Sequence, residues 1–181
     1  MMKHIGGAFA MALLIAASGG AGEAQRLGKG AKLVDFAAQT LDGKKTHLLA
    51  FIGGRVAVFK LGATWCGWCT RQIPAMNEAA KAFPGDKVAV FQVDVGEDAK
   101  TVEAHNKEHK VAFATLLDPD STAAGAYGVT AIPDTIVAGH DGTILYRGHY
   151  TTADELRRCV QPALRALDEE ISKKKAAESK K

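Results

Sequence analysis

Thr64-Trp65-Cys66-Gly67-Trp68-Cys69 places two cysteines three residues apart, so that a bond between them closes a very small ring. A strand-like run, Val56-Ala57-Val58-Phe59-Lys60-Leu61, precedes it, and a helix-like run from Thr70 to about Phe83 follows. This order puts Cys66 at a strand-to-helix corner with its sulfur at the helix N-terminus. Unpaired backbone N–H groups and the positive end of the helix dipole favour a thiolate there. In C-x-x-C motifs of this kind the thiol pKa falls from about 8.5 to roughly 3.5–7.5. Cys66 is therefore the expected attacking sulfur. Cys69, one turn later, is placed to attack it in turn and release a bound partner. A zinc site needs a second pair of ligands, and Cys159 is the one remaining cysteine. A purely structural role fits poorly, because so short a loop removes little unfolded-state entropy.

The chain of 181 residues is long enough for one domain with a real core. Its formal charge of +3 comes from one end: residues 173–181 hold five lysines and one glutamate. Residues 25–172 carry 17 basic and 18 acidic side chains, so no basic patch points to nucleic acid. Residues 172–181 read as a basic, disordered tail. At the other end, Lys3 and His4 precede an apolar run from Ile5 to Ala17 and then small residues. Residues 1–24 thus read as a secretory signal, since the run is shorter than the ~20 residues a membrane span needs. Residues 25–32 read as a linker, and the domain is expected over 33–171. Export implies a periplasmic or other extracytoplasmic setting, where a reactive dithiol needs either a supply of reductant or an oxidising role.

Outward from the cysteines, Phe36–Thr40 and Thr46–Leu48 flank an Asp42-Gly43 turn as a hairpin. Val88–Val95 is a near-continuous apolar run of the kind buried parallel strands show. A polar helix over about Asp98–Lys110, a short strand at Phe113–Leu117 and a short helix at Ser121–Tyr127 come next. A second hairpin, Thr135–Ala138 with Thr143–Arg147, precedes an amphipathic helix over Thr152–Ile171. Pro74 and Pro162 should bend the two helices that hold them. The pattern is an α/β sandwich around a mixed sheet.

With these pieces in place the chain resembles the thioredoxin superfamily, and within it the exported TlpA/ResA-like thiol–disulfide oxidoreductases. The carrying residues are Asp35-Phe36, Leu41-Asp42-Gly43-Lys44, Ala63 to Cys69, Val93-Asp94-Val95-Gly96-Glu97, Leu117-Asp118-Pro119-Asp120, Ala126-Tyr127-Gly128-Val129, Ala131-Ile132-Pro133-Asp134-Thr135 and Asp141-Gly142. The resemblance implies a thioredoxin-like fold: a mixed central sheet flanked by helices, an N-terminal β-hairpin, and a TlpA/ResA-type insertion over about Glu97–Leu117. It implies a cis-proline at Pro133 opposite the cysteines, and a substrate strand pairing with the backbone of Ile132. Trp65 and Trp68 would shape the contact surface. It implies no metal or organic cofactor, cysteine-containing exported proteins as substrates (apocytochrome c among the candidates), a membrane thiol electron donor, and a monomer.

Three departures from the family stand out. Gly67-Trp68 separates the cysteines where the family carries proline before the second, so the reduction potential does not transfer. Lys60 occupies the place of a buried aspartate. It either tunes the charge state of Cys69 or packs its stem on the sheet with its amine reaching water. Gln72 replaces a glutamate found near the site in ResA-type members. Among other signals, His105-Asn106-Lys107-Glu108-His109 matches a zinc-protease pattern but is expected on a solvated helix face. Cys159 reads as an inert buried thiol. Ala63 stands three before Cys66, where a peroxiredoxin wants threonine. The alternatives to a reductase are a disulfide-donating oxidant and a Cu(I) metallochaperone using the same two thiolates.

Overall fold

A computed structural model describes residues 26–179. The expected signal segment lies outside these residues. The fold is built on β3 (Val56–Gly62), every residue of which is buried. It pairs in parallel with β4 (Val88–Val95), which pairs in parallel with β5 (Ala114–Asp118). On the other side β3 runs antiparallel to β6 (Asp134–Ala138), and β6 to β7 (Ile144–Gly148). The N-terminal hairpin β1 (Ala37–Thr40) and β2 (Lys45–His47) joins through β5. The seven strands lie in the order β2-β1-β5-β4-β3-β6-β7.

Alternation along β3 sorts its side chains between two cores. Ala57, Phe59 and Leu61 join Phe91, Tyr127 and Phe36 on one face, where the Phe59 and Phe91 rings stack at 4.9 Å. Val56 and Val58 face the other way, onto Met76 and Ala79 of α2 (Gly67–Ala82) and Leu156 and Val160 of α5 (Ala153–Glu178). Each large apolar side chain buried in these cores contributes about 1.5–3 kcal/mol. The same parity sends Lys60 toward α2, the helix that carries Cys69.

The helix α3 (Ala99–Glu108), capped by Asp98, follows β4. Asn106 on α3 accepts a hydrogen bond from Gln92 of β4 at 2.9 Å and donates one to Thr115 of β5 at 3.0 Å. The short α4 (Thr122–Ala126) follows β5. A capping box between Thr152 and Glu155 starts α5.

The structure corrects the sequence reading at several places. Residues 26–32 do not form a free linker. They lie along β7, with Gly30 N–H donating to Ile144 O and Ile144 N–H to Ala31 O, each at 2.8 Å. This segment supplies backbone partners to an edge strand that would otherwise lack them. Residues 172–178, read as part of a disordered tail, continue α5 to Glu178 with exposed side chains. Alanine, lysine and glutamate are strong helix formers. The return strand of the hairpin stops at His47, because Leu48–Ile52 forms an unforeseen helix, α1, that buries Leu48 and Ile52.

Candidate active site

The site forms at the C-terminal ends of β3 and β4. Cys66 is the N-cap of α2, and Cys69 N–H donates to its Sγ at 3.1 Å. The helix thus begins at Gly67, three residues earlier than the pattern suggests, and Cys69 sits in its first turn. Cys66 and Cys69 are bonded as a disulfide. Cys66 is 8% exposed and Cys69 1%, so the Cys66 sulfur is the more accessible of the two.

Opposite the pair, the Ile132–Pro133 peptide bond is cis, and Cys66 Sγ lies 3.6 Å from Ile132 O. The loop is held from behind by Asp134, which forms a buried ion pair with Arg147. Arg147 also donates to Leu27 O at 2.6 Å and Tyr127 O at 2.7 Å, so one guanidinium ties the cis-proline loop to the N-terminal segment and the end of α4. Around the cysteines, Trp65 is 75% exposed and Trp68 56%. Trp68 packs edge-on against Tyr150 and carries the Arg71 guanidinium over its face. Beside Trp65 a cavity of about 240 Å³ opens, lined by Ala63, Val95, Val129, Ala131 and Ile132 among others. A larger cleft of about 450 Å³ lies at the β1–β2 hairpin and contains neither cysteine.

Behind the Cys69 sulfur the sheet closes in. A Cβ placed on Gly62 would meet Cys69 Sγ at 3.0 Å and Lys60 Nζ at 3.2 Å, so glycine is the residue that lets β3 pass so close. Lys60 is only 3% exposed, which sets aside the reading in which its amine reaches water. Burial pulls its pKa down to about 8, against the partial support of Asp94. Burial likewise pushes Asp94 up to about 8, helped by a hydrogen bond to, and the charge of, Glu97. Burial thus works against the charged form of both groups, and each partly supports the charge of the other. Among the described residues, Asp94 Oδ1 has no hydrogen-bond partner.

One expectation is revised, and the departure at Gln72 finds its place in the fold. Gln72 joins two helices. It is fully buried, donates to Thr151 O at 2.5 Å and accepts from Thr151 N–H at 2.6 Å, joining α2 to the start of α5. His105 does not sit on a solvated face, since its Nε2 lies 3.2 Å from the Thr70 hydroxyl, directly after Cys69. Sequence reasoning missed Asp94, Glu97 and His105 as neighbours of the site. The first two were visible only as pieces of a motif, and His105 only through a misleading zinc pattern. Cys159 is half-buried on α5, away from the pair, and burial raises its pKa.

Comparison with known proteins agrees with this geometry. The chain is 29% identical over 115 residues to the thiol-disulfide oxidoreductase ResA of Geobacillus thermodenitrificans, covering 64% of this chain and 66% of that protein. The match thus spans about two thirds of the relative's length. A crystal structure described as the thiol:disulfide interchange protein DsbE from Chlorobium tepidum superposes with a TM-score of 0.68 at 25% identity, over 76% of this chain and 99% of that one. The thioredoxin domain of a thiol-disulfide oxidoreductase from Bacteroides vulgatus has the same TM-score at 18% identity and shows the shared fold. Residues 29–147 match the family model for the AhpC/TSA proteins, and the chain belongs to the AhpC/TSA family, with a thioredoxin-like fold.

Proposed function

We propose that the protein is a thiol–disulfide oxidoreductase that reduces disulfides of cysteine-containing proteins. The Cys66 thiolate attacks one sulfur of a substrate disulfide and expels the other as a thiolate. Cys69 then gives up its proton and attacks Cys66 Sγ, expelling the second substrate thiolate and leaving the Cys66–Cys69 bond. Two electrons pass from the dithiol to the substrate. The observation that carries this reading is the placement of Cys66 Sγ at the head of α2, 3.1 Å from a backbone donor and 3.6 Å from the carbonyl oxygen before the cis-proline. The ResA relatives support it by name.

In this proposal a substrate strand runs past Ile132 and Pro133, with Trp65 and Trp68 as its walls. Lys60, close behind Cys69, stabilises the resolving thiolate by its charge. The apolar run of residues 5–17 supports export to an extracytoplasmic compartment. There a membrane thiol donor would re-reduce the pair, and apocytochrome c would be among the substrates. The test is insulin-disulfide reduction driven by dithiothreitol. The wild-type protein is expected to accelerate it and Cys66→Ser to abolish the acceleration; equal rates for the two would overturn the reading. A reduction potential near −270 mV fits a reductase, whereas one near −120 mV would reverse the direction.

A further inference from the structure

We propose that Glu97 is a positioning residue for the dithiol, clasping the strand side of the C-x-x-C turn through Thr64 while His105 holds the helix side through Thr70. Glu97 leaves the end of β4 and introduces α3. Its Oε2 accepts the Thr64 backbone N–H at 2.6 Å and its Oε1 accepts the Thr64 hydroxyl at 2.5 Å. Thr64 lies two residues before Cys66. One helix-and-turn segment therefore grips both flanks of the reactive ring, since His105 of α3 meets Thr70, the residue after Cys69.

The residue type follows from the chemistry. Two donors from one threonine call for two acceptor oxygens, which a carboxylate offers and an amide does not. Burial alone would raise the Glu97 pKa, but the two Thr64 donors and Asp94 outweigh it and keep the group below its usual range. Beneath it lies Asp94 of β4, whose pKa burial and the neighbouring Glu97 carboxyl push up. The other titratable groups facing this cluster are Lys60 from β3 and His109, whose ring lies 4.4 Å from that of His105 on α3. Glu97 and His105 reach the sulfurs only through the threonines, so they act on geometry.

The Cys66–Cys69 ring forms with both flanks pinned, whereas two free thiols make no such demand. Loosening one flank penalises the disulfide more than the dithiol, so the pair becomes more oxidising. This inference rests on the redox reading of the pair. Glutathione equilibration, however, reads the pair itself whether or not any protein substrate is reduced, so the two ideas fail separately.

The experiment equilibrates full-length protein with glutathione and counts oxidised and reduced forms by alkylation and mass. It compares wild type with Glu97→Ala, Glu97→Gln and Thr64→Val, and records thermal unfolding alongside. Glu97→Ala is expected to shift the equilibrium constant about tenfold toward the dithiol, equivalent to about 30 mV. Glu97→Gln and Thr64→Val, which each keep one leg of the clasp, are expected to shift it about threefold. Thr64→Val retains the backbone leg and serves if Glu97→Ala fails to fold. Folded variants whose constants stay within twofold of wild type, whatever their melting temperatures, would overturn the proposal, because a merely structural contact lowers stability without moving the potential.

Discussion

Replacing Lys60 by methionine is expected to make the protein more stable and its redox cycle slower. The amine is buried behind Cys69, and its pKa falls from 10.5 to about 8 because burial disfavours the charged form. At about 1.4 kcal/mol per unit, holding a protonated lysine there costs about 3 kcal/mol at neutral pH. The sign follows from proton counting. Between pH 8 and 10.5 the unfolded chain binds more protons at this residue than the folded one, so stability rises with pH across that window. Methionine fills a similar volume without charge, so Lys60→Met should recover most of the cost at pH 7 and little above pH 10.5. For a domain of this size, about 3 kcal/mol corresponds to roughly 6–12 °C in Tm. The assay is urea unfolding of the reduced protein at pH 7 and near pH 10.5, paired with single-turnover release of a trapped substrate. Loss of the nearby positive charge should raise the Cys69 thiol pKa and slow release about tenfold at pH 7. A Lys60→Met protein that is less stable at pH 7, or whose Cys69 reacts with an unchanged pH dependence, would refute the reasoning.

Further substitutions test the parts that hold the site. Gln72→Glu sets a carboxylate against the Thr151 carbonyl in place of an amide donor; it should cost about 1–3 kcal/mol in urea unfolding at pH 7. Arg147→Met leaves the Asp134 carboxylate buried and weakly paired behind the cis-proline loop; about 3–5 kcal/mol of stability should be lost, readable as a fall in the urea midpoint. Gly62→Ala drives a methyl to 3.0 Å from Cys69 Sγ; about 1–3 kcal/mol of overpacking strain is expected, with slower release of trapped substrate in stopped-flow.

Much of the sheet was legible because its signals are local. Val88–Val95 reads as a buried strand from its unbroken apolar run and forms one over the same residues. The Asp42-Gly43 turn marks the first hairpin, and the Cys66–Cys69 spacing marks the corner. What escaped depends on contacts distant in sequence. Glu97 and Thr64 are 33 residues apart, and His105 and Thr70 are 35 apart, so nothing in either neighbourhood announces the pair. Residues 26–32 look like a linker by composition and gain order from β6, β7 and the turn between them, more than a hundred residues on. Gln72 drew attention as a missing glutamate, but its partner is a backbone segment that composition does not reveal. Lys60 was visible as an anomaly in an apolar strand. Strand parity aimed it at α2, but the fold was needed to show that Gly62 opens the space between its amine and the Cys69 sulfur.

The central claim is that Cys66 attacks and Cys69 resolves. The most direct measurement is mass-spectrometric mapping of mixed disulfides formed by the Cys69→Ser and Cys66→Ser proteins after reaction with a disulfide-bonded protein. The account predicts that Cys69→Ser accumulates a stable adduct through Cys66, while Cys66→Ser forms little, because Cys69 is sealed at 1% exposure. Equal adducts through either cysteine, or an adduct mainly through Cys69, would contradict it.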